Sequence, residues 1–306
     1  MRRWRVEARF ALAAAATIVV LAPGASCRRK RDAPALAPAG TLPSGCGIAA
    51  DLDRRALGQL GSLADSFFVA PGGTLIPDGL DLRHEVEHIR LCRFAPDPSL
   101  GDTTVLFMSG PIPADVLDRI ASRRADLGRE TVAGVPVLGG GHLWMAHRGP
   151  LTQAGELVVA TSRAELRRAL TERSATYALD PAASFSIVLT PSEISRLLVP
   201  RRKGEEASPL KAVQEVRAGL SPSGTLLDVR LVVGDDDVSR QLVYTLQSAV
   251  GTMLRKAHPE QENIPSINLT VEGGDVVGRV EFPAQGLTAM TTKLAALWAK
   301  QPRGPR

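Results

Sequence analysis

The sequence predicts an α+β fold made of two similar units of mainly antiparallel sheet with helices packed on one face. Three observations lead there. Short apolar runs, several with period two, are bounded by Gly- and Pro-rich turns. Clear helix starts interrupt them. The succession strand, helix, meander strands, helix occurs twice, with a spacing that carries Val105 onto Val229. Of the 306 residues, 44% are hydrophobic and 23% charged, an ordinary globular balance that excludes a disordered, collagen-like or multi-span membrane chain.

The elements follow in order. Ile48, Leu52, Ala56, Leu60 and Leu63 recur at helical spacing, so 48–67 is expected to be a helix that ends at Pro71-Gly72-Gly73. Residues 85–94 and 103–108 are expected as strands, and Pro111 and Pro113 open a helix through Val116, Leu117 and Ile120. Residues 131–138, 142–146 and 156–160 are expected as strands, with Gly139-Gly140-Gly141 turning between the first two. Ser162 with Glu165 forms a capping box, and Thr190-Pro191-Ser192-Glu193 starts another helix directly after a strand at 185–189. The charged stretch 200–208 carries no apolar periodicity and divides the units. Ser208-Pro209 starts a helix that stops at Gly219, and 227–233 alternates as a strand. Asp235 to Asp237 cap a long helix, a hairpin turns at Gly273-Gly274, and Leu287, Met290, Leu294 and Leu297 line a last helix. The organisation is a signal peptide at 1–26, a Pro/Ala/Gly-rich tether at 27–47, unit one at 48–199, a linker at 200–208, unit two at 209–300 and a tail at 301–306.

The net charge of +5 is an address more than a property of the folded part. Arg2, Arg3, Arg5 and Arg9 against Glu7 contribute +3, and Arg28, Arg29, Lys30 and Arg31 against Asp32 contribute +3, which leaves 33–306 at −1. Nucleic acid is therefore not expected as a partner, and aromatics at 4% leave few platforms for stacking bases. The basic start, the apolar run Phe10 to Leu21 and the small residues before Cys27 have the parts of a secretory signal. The run is too short to cross a bilayer about 30 Å thick.

Gly24-Ala25-Ser26-Cys27 resembles the lipobox of bacterial lipoproteins, with Gly24 standing where that family usually has a large aliphatic residue. The resemblance implies cleavage before Cys27 and acyl chains such as palmitate on it. It also implies a body held at the cell envelope, with Arg28 favouring the outer membrane over the inner. Acyl chains contribute about 0.8 kcal/mol per buried CH₂, and the RRKR cluster about 1 kcal/mol per cation beside anionic headgroups. The arrangement of the body is similar to that of uncharacterised two-repeat α+β envelope proteins of bacteria, a topological likeness that implies no activity.

With Cys27 lipidated, Cys46 and Cys92 remain as a candidate disulfide in an oxidising compartment. His84-Glu85-Val86-Glu87-His88 satisfies the H-E-x-x-H pattern of zincin metallopeptidases. On a helix, His84 and His88 would share a face and hold zinc, with Glu85 as the base for its water. On a strand, the histidines face one way and Glu85 the other, and no third ligand is assigned. A turn and strand is the favoured reading, so no catalytic residue, metal or other cofactor is expected. Gly219-Leu220-Ser221-Pro222-Ser223 falls one glycine short of a nucleophile elbow, and the Asp235-Asp236-Asp237 run lacks the spacing of a calcium loop. The sequence therefore points to a membrane-anchored envelope lipoprotein, not an enzyme, whose partner is an envelope protein or ligand that it does not identify. The alternatives are a zinc-dependent hydrolase and a small-ligand module in the cleft between the units.

Overall fold

The computed structural model describes residues 41–60, 68–70, 73–94, 103–149, 155–172, 177–198, 209–257 and 266–282. The signal segment, Cys27, most of the tether, the stretch 200–208, the last amphipathic helix and the tail lie outside the described residues.

The chain enters β1 (Cys46–Asp53) and α1 (Arg54–Leu60), passes a small ladder of β2 (Val69–Ala70) and β3 (Gly73–Thr74), and makes one helical turn, α2 (Leu82–Glu85). β4 (His88–Phe94), β5 (Thr104–Gly110) and α3 (Val116–Arg123) follow. A meander of β6 (Gly128–Val132), β7 (Val135–Gly140), β8 (Leu143–Arg148) and β9 (Gly155–Ala160) leads into α4 (Arg163–Thr171). β10 (Phe185–Leu189) and α5 (Pro191–Leu198) come next, then a 3₁₀ turn at Pro209–Ala212 and the pair β11 (Glu215–Leu220) and β12 (Leu226–Val232). The long α6 (Asp236–Ala257) precedes the hairpin of β13 (Ser266–Glu272) and β14 (Asp275–Glu281).

Apart from the β2–β3 ladder, these strands form one twelve-stranded antiparallel sheet, in the order β13-β14-β12-β11-β10-β1-β4-β5-β9-β8-β7-β6. The fold is α+β, and its two units are visible in that order. From the middle outward, β1-β4-β5-β9-β8 on one side repeats the connectivity of β10-β11-β12-β14-β13 on the other. The units are not separate bodies, because β1 and β10 pair antiparallel, Ile48 opposite Leu189 and Leu52 opposite Phe185. β10 and α5, which the sequence division places at the end of unit one, occupy in the second half the place of β1 and α1 in the first.

Three local expectations are corrected. Residues 46–53 are a strand, not the start of a helix, because β1 lies mid-sheet and its apolar run from Cys46 to Ala50 is buried, with Asp51 and Asp53 part-exposed beyond it. A continuous apolar run of that length fits either element. The segment after Pro209 makes only a 3₁₀ turn. The alternation of buried Val216, Ala218 and Leu220 with Glu215, Arg217 and Gly219 makes 215–220 a strand. The expected strand 131–138 is split into β6 and β7 by a turn at Ala133-Gly134, Gly139 and Gly140 extend β7, and the next turn falls at Gly141 (φ +54) and His142.

Helices cover both faces of the sheet, not one. The larger core gathers Leu52, Leu106, Met108, Val159 and Ile187 beneath α1, α3, α5 and α6, through Ala56, Ile120, Ile194 and Leu242. The alternate residues of the same strands, Ala49, Cys92, Val105, Phe107 and Val158, form a second core against Leu166, Ala169 and Leu170 of α4. α4 begins as its capping box predicts, with Glu165 N–H donating to Ser162 Oγ at 3.2 Å. The Glu165 side chain is buried, and burial pushes its carboxyl above the usual range, opposed by its own backbone N–H and by Arg168.

A carboxyl with a raised folded-state value contributes its full share of stability below its ordinary value and loses it as pH rises through the raised one. Glu165→Gln keeps the capping-box geometry and should stabilise the protein at pH 7.5, with the gain shrinking towards pH 4.5. Denaturant midpoints of both forms at the two pH values check this.

Candidate functional site

Two of the predicted site residues meet where the N-terminal segment joins the sheet. Cys46 begins β1, Cys92 lies on the neighbouring β4, and the two form a disulfide with a Cα–Cα distance of 5.3 Å. The register between the strands shifts between Cys46 and Ile48, and this irregularity sets Cys46 beside Cys92 although Ala49 is its ladder partner. The pairing expected from cysteine counting is present.

Residues that cysteine counting could not find complete a clamp around this bond. Tyr177 Oη donates to Pro43 O at 3.0 Å and accepts from Cys46 N–H at 2.8 Å. Burial raises the phenol above its ordinary value, so it keeps the proton that it donates. Arg168 of α4 lies over the Phe94 ring at 4.2 Å, ion-pairs with Glu172 and donates to Ser44 O at 2.9 Å. Glu172 also accepts from Ser44 Oγ. Gly45 has φ +79, which favours glycine, and a Cβ there would stand 3.1 Å from the Arg168 guanidinium. Leu42, upstream of the clamp, is buried in the second core. The partners come from α4 and from residue 177, more than 120 positions away in sequence, so no local pattern announced them.

The H-E-x-x-H segment straddles a helix and a strand. His84 stands on the single turn of α2, the chain is extended at Val86, and His88 opens β4. The two histidines do not share a helical face. His84 Nδ1 lies 2.7 Å from Asp81 Oδ2 at the surface, while His88 Nδ1 lies 3.9 Å from Asp51 Oδ1, across the strand pair. Asp81 caps α2 through the N–H groups of Arg83 and His84, and its hydrogen bond with His84 holds its carboxyl below the usual range. Glu85, the base of the zinc reading, is engaged in structure. One oxygen accepts from Asp81 N–H at 3.0 Å and the other meets Arg119 at 2.8 Å. Among the described residues no three His, Cys, Asp or Glu side chains gather to hold a metal ion. The motif serves as a corner: Arg54 donates to Val86 O and His84 O, and Glu87 N–H donates to Ser109 O.

On the face that carries the second core in the first half, the second half is polar. Arg279 pairs with Asp228, Arg230 with Asp275, and Arg217 with Glu215. Asp51 and Arg90, at 3.0 Å, continue the row across the seam. The Gly219-to-Ser223 stretch ends β11 and turns, with Ser221, Ser223 and Thr225 joined by hydroxyl hydrogen bonds. The three-aspartate run caps α6, with Asp235 accepting from the N–H groups of Asp237 and Val238.

The architecture defines a duplicated, all-antiparallel α+β protein with one continuous sheet. A solved structure with this fold is TP0453 in its crystal form I. The TM-score is 0.50 at 12% identity, over 84% of this chain and 97% of that one. Crystal form III of the same protein aligns at a TM-score of 0.48 and 12% identity, over 85% of this chain and 98% of that one. No protein-family model matches the chain, and no curated protein matches it.

The disulfide spans 46 positions, and closing a loop of that size is worth about 4 kcal/mol in the chain-entropy model. Cys46→Ser with Cys92→Ser, or reduction of the native chain, should lower unfolding stability by about 2–4 kcal/mol. Chemical denaturation with and without reductant measures the loss.

Proposed function

We propose that this chain is a cell-envelope lipoprotein, anchored through lipid on Cys27, whose α+β body has a non-catalytic binding or structural role. The observation that carries the proposal is the continuity of the N-terminal half-sentence of the fold: a lipobox-like Gly24-Ala25-Ser26-Cys27, then a Pro/Ala/Gly-rich stretch, then the clamp at Pro43 to Cys46. An anchored chain needs a firm attachment where its tether meets the folded body, and the clamp supplies one. A disulfide also suits the oxidising compartment that such a signal addresses. No helix among the described residues is long and apolar enough to cross a membrane, so in this proposal the membrane affinity resides in the lipid. The body lies in the periplasm or at the cell surface, with outer-membrane sorting favoured by Arg28.

Fractionation of cells expressing the wild-type chain and Cys27→Ala, with mass spectrometry of the N-terminal peptide, tests the anchor. The wild type should sediment with membranes and carry acyl chains, and the variant should leave the membrane fraction. An unlipidated wild type, or a variant that stays equally membrane-bound, overturns the proposal.

A further inference from the structure

The two ends of the sheet are treated differently. At one end, β6 is short and held from both faces: Arg129 pairs with Asp118 of α3, and Glu130 with Arg163 of α4 at 3.0 Å. Charged side chains and flanking helices are the usual devices against unwanted strand addition. At the other end, β13 runs Ser-Ile-Asn-Leu-Thr-Val-Glu, with no proline, lysine or arginine.

The register fixes which backbone groups of β13 point outward. Gly273 (φ +59) and Gly274 (φ +83) make a two-residue turn between Glu272 and Asp275, the last ladder pair. In such a hairpin the pair flanking the turn is hydrogen-bonded, and bonded pairs recur at every second residue. Ser266, Asn268, Thr270 and Glu272 therefore spend their N–H and C=O groups on β14. Ile267, Leu269 and Val271 present theirs to the outer edge of the sheet, where no described residue donates to or accepts from them. The edge is also low at its centre. Leu269 leans back over its own ladder partner Gly278, where a Cβ would come within 2.8 Å of the leucine Cδ2.

We infer that this edge is a dimerisation site, at which a second copy of the chain adds its own β13 antiparallel about a two-fold axis through Leu269. The edge is self-complementary in that register. Leu269 faces Leu269 of the second copy and Ile267 faces Val271, so all three outward residues on each strand become hydrogen-bonded. A shift of one residue sets these outward groups opposite residues whose own groups are spent on β14, and a shift of two leaves one of them opposite chain beyond the strand. On the core side the new neighbours are Ile, Leu and Val, which the single chain leaves half-exposed. On the polar side Asn268 faces Thr270 and Glu272 faces Ser266, so no like charges oppose.

The test uses the full chain with Cys27→Ser, which removes the lipid and any competing free thiol. Analytical ultracentrifugation should show a concentration-dependent monomer–dimer equilibrium. Leu269→Pro removes one outward N–H and leaves the β13–β14 ladder intact, so it should weaken dimerisation by about tenfold or more with an unchanged circular dichroism spectrum. Leu269→Cys places two thiols across the axis in a bonded pair with Cα atoms about 5.5 Å apart, within the reach of a disulfide. It should cross-link copies on mild oxidation, whereas Ser266→Cys, which faces Glu272, should not. If Leu269→Pro fails to fold, the cysteine pair decides. A chain that sediments as a monomer up to its solubility limit, or that cross-links equally at 266 and 269, overturns the inference.

Discussion

The antiparallel pairing of β1 with both β4 and β10 is the interaction on which the rest of the structure depends. β1 and β10 form the seam between the halves, and β1 pairs with β4 of the first half and with β10 of the second. Its side chains supply both cores: Ile48, Ala50 and Leu52 on one face, Cys46 and Ala49 on the other. Its small residues suit this position, since Ala49 and Ala50 let the two cores close over opposite faces of the strand, while Asp51 and Asp53 are part-exposed. Without β1 the two units would each present an open, apolar edge at the middle of the molecule.

The same strand joins the sheet to the N-terminal segment. The segment leading to β1 is fixed by Tyr177, Arg168 and the disulfide before the first ladder pair is complete. The two halves also share a plan without sharing a surface. In the first half α4 covers an apolar face. In the second, the corresponding face of β11, β12 and β14 carries ion pairs, of which Arg279–Asp228 is exposed and contributes little to stability, while Arg230 reaches the buried Asp275. A common connectivity thus supports one half dedicated to packing and another whose face is wet.

Much of this was legible in the residues. The Ser162 cap, the helix start at Pro191, the Gly273-Gly274 hairpin and the strand 185–189 fall where local chemistry puts them, because each signal is contained within a few neighbouring residues. β1 was not legible, because a run such as Ile-Ala-Ala-Asp-Leu is apolar enough for a helix, and only its partners make it a strand. β11 was lost to a Ser-Pro start signal that outweighed a genuine alternation over 215–220. The clamp was half legible: two cysteines announce a bond, but Tyr177 and Arg168 act across more than 120 positions, and nothing near them in sequence marks the role. The H-E-x-x-H pattern shows the opposite failure. Its spacing carries meaning only on a helix, and the helix ends at Glu85.

The placement of the Cys46–Cys92 bond has a mechanical consequence. Tension arriving along the chain from the N-terminal side first meets Pro43 and Ser44, held by Tyr177 and Arg168, and then the covalent bridge. The bridge passes the load from β1 into β4 at the outset, so the pull is shared by two central strands and cannot peel β1 away one hydrogen bond at a time. Both strands then resist in shear along their full ladders. A pull on the N-terminal segment is thereby kept from unzipping the sheet.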